Sequence, residues 1–277
     1  MSSELFSAIR DKDMEVLSEL LATEPEAAAA RVEAAQGEDP AAGGSALHVA
    51  VEVGSAEAAR LLIEAGVDLE ARNAYGRTAL HDAIEYGRHT IEELLLAAGA
   101  EVDVCAAAIL GRAGRLRELL DADPELANDR STGLSPLGWA AYGNEVETAR
   151  ELLARGARMD DGELLCAASV CHMEVGRFLL DHLLERGADL DAIEPHCSGN
   201  ALHEAAGMRY SCDTSAFVRM LLEAGADPAI RNRDGKTALE VAEEGDRRQR
   251  EAPESVDFVR DYAAVAAILR AVADHDA

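Results

Sequence analysis

Apolar residues recur along the chain in clusters of one internal spacing, separated by polar stretches rich in glycine. Three segments show the pattern most clearly, SALHVAVEVGSAEAARLLIEAG (45–66), TALHDAIEYGRHTIEELLLAAG (78–99) and SPLGWAAYGNEVETARELLARG (135–156). Each has Ser or Thr near its start, a natural N-cap, and Ala where a second helix must approach closely. A second apolar group ends at glycine, which commonly terminates helices. Each segment therefore predicts two short antiparallel helices.

The same unit recurs over about residues 4–272, which predicts one solenoid for the whole chain. Roughly six buried aliphatic side chains per unit supply about 1.5–3 kcal/mol each. Ordering some 33 backbone residues costs roughly 1–2 kcal/mol apiece. One unit therefore cannot fold alone, and its neighbours must supply the missing burial. The predicted units begin near Leu5, Leu47, Leu80, Val104, Leu137, Leu164, Leu202 and Leu239.

The short motifs within these units resemble those of the ankyrin repeat. SALH, TALH and GNALH are similar to the family's T-P-L-H segment, and EAGVD, ERGAD and EAGAD to its helix-end G-A-D. The resemblance implies an all-α repeat solenoid of about eight helix-turn-helix units, with projecting β-hairpin fingers and a concave groove lined by the first helices. It also implies a protein that acts by binding other proteins. The standalone, short-fingered array is similar to bacterial ones.

The spacing between units predicts irregular fingers. The next unit begins 14 residues after Gly66, but only 5 after Gly99 and 8 after Gly156. We therefore expect no finger before the fourth unit and a shortened one before the sixth. Surplus residues predict a longer second helix at FLLDHLLERG, a longer loop at GMRYSCDTSA and a terminal insertion, GDRRQREAPESVDF. The first finger, from Ala27 to Gly44, is also long.

Charge and composition limit the partners. The chain has 26 Lys+Arg and 53 Asp+Glu, a formal charge of −27, which disfavours nucleic acid and anionic membranes as partners. No apolar run is long enough for a membrane span, and the N-terminus has no secretory pattern. Five cysteines without framework spacing indicate a reduced, cytoplasmic protein. We expect a monomer, because polar terminal units can cap the stack.

The ankyrin resemblance places candidate partner contacts on the finger tips and just after the histidine position of each first helix. A combination of aromatic and acidic side chains is typical of a binding hot spot. Trp139 is the only Trp; it either anchors a partner or packs in the slot that Val49 occupies. The carboxylates either bind a partner or form a solvated acidic face. These positions are Tyr75, Arg77, Asp82, Glu85, Tyr86, Trp139, Tyr142 and Glu204.

Histidine and cysteine offer two further kinds of site. His48, His81 and His203 occupy one repeat position, which favours a structural role over general-base chemistry; the resemblance implies hydrogen bonds to loop backbone. Cys171, His172 and Cys212 could lie close enough to bind zinc. The sequence has no CxxC pair and no HExxH helix, so free thiols are the favoured interpretation.

Two hypotheses of function remain open. The first is a non-catalytic scaffold, without a cofactor, that holds a basic protein segment in its groove. The second is an unusual small-molecule-binding protein or enzyme, with a pocket around Trp139 where shortened fingers expose Tyr142 and Cys166. An enclosed cavity of several hundred Å³ beside Trp139 would favour the second.

Overall fold

The computed structural model describes residues 2–32, 43–159, 164, 167, 172–193, 198–207, 213–251 and 261–273. Within these residues the regular structure consists of fifteen α-helices, two short 3-10 helices and two isolated β-bridges. The predicted all-α repeat architecture is confirmed. The chain divides into two compact units, Met1–Ala107 with Asp129–Ser135, and Ala108–Asn128 with Pro136–Ala277.

The first unit is a stack of helix pairs. Its helices are α1 (Ser2–Arg10), α2 (Met14–Thr23), α3 (Ala46–Glu52), α4 (Ala56–Glu64), α5 (Ala79–Glu85), α6 (His89–Ala97) and the first residues of α7 (Val104–Ile109). The pairs are α1 with α2, α3 with α4, and α5 with α6. First helices pack on first helices, α1 on α3 and α3 on α5, while α2 packs on α4 and α4 on α6.

The second unit repeats this packing. Its helices are α8 (Ala113–Ala122), α9 (Pro136–Gly143), α10 (Val146–Ala154), α11 (Met173–Glu185), α12 (Ala201–Gly207), α13 (Ser215–Glu223), α14 (Ala238–Glu251) and α15 (Tyr262–Ala273). The helix α12 packs on α14, and α11, α13 and α15 form the neighbouring row. Leu164 and Ala167, between α10 and α11, are helical and buried, and the rest of the helix predicted there lies outside the described residues.

The helix pair α3–α4 shows why the sequence folds in this way. Ser45 caps α3 in a capping box with His48, and the six residues 46–51 are all buried. The helix α4 buries only its Ala58, Ala59 and Leu62 face. Gly66 follows this helix with φ +78°, a conformation that favours glycine. Small residues on α3 and an amphipathic α4 therefore give the predicted antiparallel pair.

The finger of residues 65–78 in the first unit is smaller than the expected β-hairpin. It has one antiparallel bridge, Arg72 with Thr78. The turn at 73–77 is closed by Asn73, whose backbone N–H donates to the Arg77 carbonyl oxygen (2.9 Å) and whose side-chain Oδ1 accepts hydrogen bonds from the backbone N–H groups of Tyr75 (2.9 Å) and Arg77 (3.0 Å). Hydrogen bonds of one asparagine therefore hold this turn in place of extended strand pairing. A second bridge, Arg31 with Ser45, joins the described ends of the preceding finger.

The irregular spacings are found largely where the sequence predicted them. Residues 98–103 connect α6 to α7 without a bridge, whereas the finger of residues 65–78 connects α4 to α5. The longer second helix of the sixth unit is α11, with 13 residues. The terminal insertion begins as a continuation of α14 to Glu251. The predicted insertions and shortened fingers that fall on residues 33–42, 160–163, 208–212 and 252–260 lie outside the described residues.

We expect Leu62→Ala to lower the free energy of unfolding by about 2–5 kcal/mol, because Leu62 is fully buried between helix pairs. Leu61, its half-buried neighbour on α4, is the matched control, and Leu61→Ala should cost clearly less. Urea unfolding followed by circular dichroism measures both. Equal losses would contradict the predicted orientation of α4.

Candidate binding surfaces

The buried histidines of the first helices connect one repeat to the next. His48 Nδ1 accepts the Ser45 backbone N–H at 3.0 Å, and its Nε2 lies 3.0 Å from the Arg77 carbonyl oxygen. In the second unit, His203 Nε2 lies 3.0 Å from the carbonyl oxygen of Lys236. Burial lowers the pKa of both histidines, so the neutral ring, protonated at Nε2, fits both contacts. Both nitrogens are occupied, which favours the structural interpretation over a general base.

His81 differs because α7 begins without a finger. Its Nε2 lies 3.1 Å from Asp103 Oδ1, where the other two histidines meet a backbone carbonyl. Asp103 also caps α7 by accepting the backbone N–H groups of Cys105 and Ala106. Burial by itself raises the pKa of Asp103, but the hydrogen bond from His81 and these contacts outweigh it and lower the pKa to about 2.

An ion pair joins the turn at 73–77 to α5 in the first unit. The guanidinium of Arg77 pairs with Glu85, and its Nε donates to the Thr132 carbonyl oxygen at 3.2 Å. Asn73 Nδ2 donates to Asp82 Oδ2 at 3.1 Å. The turn and the end of α5 are therefore held as one surface.

The acidic groups of this surface have raised pKa values. Burial raises the pKa of Asp82 to about 7, with Glu85 adding to the effect and Arg77 opposing it. Burial also raises the pKa of Glu85, again opposed by Arg77. The phenol of Tyr86 has its pKa raised to about 12, mainly by burial and then by the two carboxylates. A positive charge placed at this surface would favour the ionised forms of Asp82 and Glu85 and would therefore lower their pKa values.

Two tyrosines are the exposed part of this region. Tyr75 is 50% exposed and Tyr86 38%, and only Leu184 is a comparably exposed large apolar side chain among the described residues. Asp82, by contrast, is 2% exposed, because it turns toward Asn73. We name Tyr75, Arg77, Glu85 and Tyr86 the tyrosine surface.

The predicted aromatic residues of the second unit are arranged differently. Trp139 is fully buried, and its ring meets that of the half-buried Tyr142 edge-on, with centroids 6.3 Å apart. Val49, at the matching position of the second repeat, is also fully buried. The structure therefore favours the packing alternative for Trp139, which offers a partner no surface.

A cavity of about 440 Å³ lies in the second unit, between α12, the turn at 232–236 and α14. We name it the α12–α14 cavity. Glu204, predicted as a contact, lines it together with Lys236 and Glu244, which form an ion pair. Two smaller cavities, of about 370 and 250 Å³, lie in the first unit. Trp139 lines none of the three, so the alternative of a small-molecule pocket at that residue has no support from them.

The described residues contain no group of three His, Cys, Asp or Glu side chains able to hold a metal ion. His172 Nδ1 lies 3.3 Å from the Ala141 carbonyl oxygen, while Cys171, Cys212 and Cys166 lie outside the described residues. Cys105 is buried, and burial raises the pKa of its thiol to about 12. Burial therefore favours the neutral Cys105 thiol over the thiolate, the nucleophilic form, at neutral pH.

Sequence reasoning predicted Arg77 and Glu85 as contacts, but it missed Asn73 and the three residues that frame the site of the last repeat. Asn73, Arg77 and Glu85 have the same spacing as three residues of the last repeat, Asn232, Lys236 and Glu244. Asn232 Oδ1 accepts the Lys236 backbone N–H at 2.9 Å, as Asn73 does for Arg77. The repeated Asn-x3-Arg/Lys-x7-Glu spacing was the available signal.

Stacked, capped helix pairs joined by short turns define a helical repeat protein. A family model of ankyrin repeats, in three copies, matches residues 5–106, and a single ankyrin-repeat model matches residues 200–233. The chain is an ankyrin-repeat protein. It is also similar to the crystal structure of the human ASB11 ankyrin repeat domain, with 22% identity and a TM-score of 0.39, over 86% of this chain and 90% of that one.

None of the described helices is both long and apolar enough to cross a bilayer.

We expect Asp82→Asn to stabilise the protein increasingly as pH rises. The folded-state pKa of Asp82, about 7, lies above its usual value, so ionisation weakens folding between about pH 4 and 7. The difference in unfolding free energy between variant and wild type should grow by up to about 1.4 kcal/mol per pH unit and level off above pH 8.

Urea unfolding at intervals from pH 5.5 to 8.5 measures this difference. Glu93→Gln, which removes an exposed carboxylate from α6, is the control and should show little pH dependence. A pH-independent difference for Asp82→Asn would contradict the buried-carboxylate assignment.

Proposed function

We propose that this protein binds a positively charged protein segment on the tyrosine surface of its first unit. Ankyrin repeats are in general protein–protein interaction modules, and a family model of three such repeats matches this unit from residue 5 to 106. The observation that carries the proposal is the exposure of Tyr75 and Tyr86, which flank Arg77 and Glu85 in the sequence, on a turn and a helix that the Arg77–Glu85 ion pair joins.

The composition of the surface supports a protein partner. Tyrosine supplies a large contact area with little loss of side-chain entropy, and it is enriched in binding hot spots. The turn that carries Tyr75 is fixed by Asn73, so the surface is ordered before a partner arrives. A preorganised surface of this kind lowers the entropic cost of binding.

The charge supports a basic partner. The net charge of −27 attracts cations at long range. At short range, Lys or Arg side chains near Glu85 and Asp82 would favour the ionised forms of these carboxylates, whose pKa values are raised. Binding should therefore release protons near neutral pH and weaken as salt increases.

The remaining expectations of the sequence are kept as predictions. Tyr142, held by Trp139, is proposed as a separate contact in the second unit, and Trp139 supports it without touching a partner. A monomeric state and a bacterial, cytoplasmic origin are likewise predictions.

A peptide array tests the proposal directly. Twelve-residue peptides of net charge +4 should bind in 50 mM salt, whereas peptides of the same length and net charge −4 should not. For the best basic peptide, Tyr86→Ala should weaken binding by about 30-fold or more, the usual loss at a hot spot. Calorimetry in buffers of different ionisation enthalpy should detect the released protons.

Leu184→Ala is the matched control, because Leu184 is similarly exposed but lies in the second unit. It should leave the affinity unchanged. Binding that survives the combined Tyr75→Ala and Tyr86→Ala substitutions, or that is equal for acidic and basic peptides, would overturn the proposal.

A further inference from the structure

The last repeat reproduces the framework of the tyrosine surface but not the side chains that fill it. In both repeats an asparagine closes the turn, and the basic residue that follows pairs with a glutamate of the next helix, Arg77 with Glu85 and Lys236 with Glu244. In both, a histidine of the preceding first helix contacts the backbone carbonyl of the basic residue. The two sites are therefore equivalent positions of one repeat.

Two of the differences between these equivalent positions are changes to glycine. Tyr86 corresponds to Gly245, one residue after the paired glutamate, and Glu52 corresponds to Gly207, four residues after the histidine. The charge of Glu52 acts on Tyr86, so these two side chains share one region in the first unit. Their replacement by glycine leaves the α12–α14 cavity, which both glycines line.

The terminal insertion completes the wall of this cavity. The helix α14 continues to Glu251, so Arg248 and Gln249 line the cavity beyond the point where the equivalent helix α5 has ended. Tyr262 of α15 lies across Gly245, where a Cβ would overlap its ring, and its hydroxyl donates to the Gly207 carbonyl oxygen at 3.2 Å. The cavity therefore has an aromatic wall and a polar rim.

Among the described residues that line the cavity, the balance of charge is negative. Glu204, Asp234 and Glu244 line it, against Lys236 and Arg248. Both cations pair with Glu244. Burial lowers the pKa of His203, so this ring adds no charge at neutral pH. One carboxylate is thus in excess locally, within a chain of net charge −27.

We propose that the α12–α14 cavity binds an organic cation, a guanidinium or alkylammonium group, with Glu204 as its counter-charge and Tyr262 as its aromatic wall. Desolvated carboxylates and aromatic rings are the protein groups that attract such cations. This site lies in the second unit and is independent of the tyrosine surface.

Calorimetric titration of the full chain tests the proposal. Agmatine represents a free cation, and the peptide Gly-Gly-Arg-Gly-Gly, acetylated at its N-terminus and amidated at its C-terminus so that arginine carries its only charge, represents an arginine side chain. At least one of these probes should bind at a single site, with an affinity that falls as salt increases. The probe that binds more tightly shows whether the natural group belongs to a free cation or to an arginine side chain. The same peptide with citrulline, which is neutral and of the same shape, should not bind, and neither should acetate.

Variants locate the site. Glu204→Gln should weaken binding at least about tenfold, the usual effect of losing a charge-assisted contact. Glu223→Gln, which removes an exposed carboxylate from α13, is the charge-matched control and should have no effect. Gly207→Leu should abolish binding by filling the cavity, since among the described residues a Cβ at this helical position meets only Val241, at 3.7 Å.

Gly207→Ala guards against a folding artefact, because it adds one methyl group and should retain both the circular dichroism spectrum and binding. If both Gly207 variants misfold, Glu204→Gln against Glu223→Gln still decides the matter. If neither agmatine nor the arginine peptide binds at millimolar concentration, the proposal is overturned. Equal binding of the citrulline peptide, or full binding by folded Gly207→Leu, would also overturn it.

Discussion

The register between neighbouring repeats depends on a hydrogen bond from a buried histidine to the backbone carbonyl that precedes the next helix. His48 makes it to Arg77, and His203 makes it to Lys236. The same ring holds the start of its own helix through Nδ1, so one side chain joins a cap to the neighbouring turn. A buried imidazole without a partner would destabilise the fold by more than the hydrogen bond stabilises it. The register of the repeats that forms this bond is therefore favoured over registers that do not.

This hydrogen bond fixes the main chain and leaves the outward side chains to differ. In the first unit the residue that follows Glu85 of the Arg77–Glu85 pair is Tyr86, which is 38% exposed. At the equivalent position of the last repeat, Gly245 is crossed by Tyr262 from another helix, and a cavity remains. One framework thus gives a protruding surface in one place and a recess in another.

The sequence predicted the helix pairs because their signals are local. Ser45, Leu47 and Gly66 specify a cap, a buried position and a helix end without reference to distant residues. The exposure of Tyr75 followed from its position at a turn tip. Burial of Asp82 could not be predicted, because it depends on a hydrogen bond from Asn73, nine positions away across the turn.

The cavity was beyond prediction for a related reason: it results from side chains that are missing. Gly207 and Gly245 read as weak helix residues, and only the equivalence of the repeats shows what they replace. The position of Tyr262 depends on the terminal insertion, and the length of an insertion does not indicate where the helix that follows it will pack. Trp139 similarly occupies the same kind of buried slot as Val49, a volume set by its neighbours.

The exception at α7 has a consequence for how this chain can diverge. A carbonyl acceptor survives any codon change at residue 77 or 236, since every amino acid carries one. Between α5 and α7 the acceptor is the Asp103 carboxylate, which also caps α7. The cross-repeat hydrogen bond therefore tolerates substitution at the first two junctions but not at the third, where a single missense change removes the cap and this bond together.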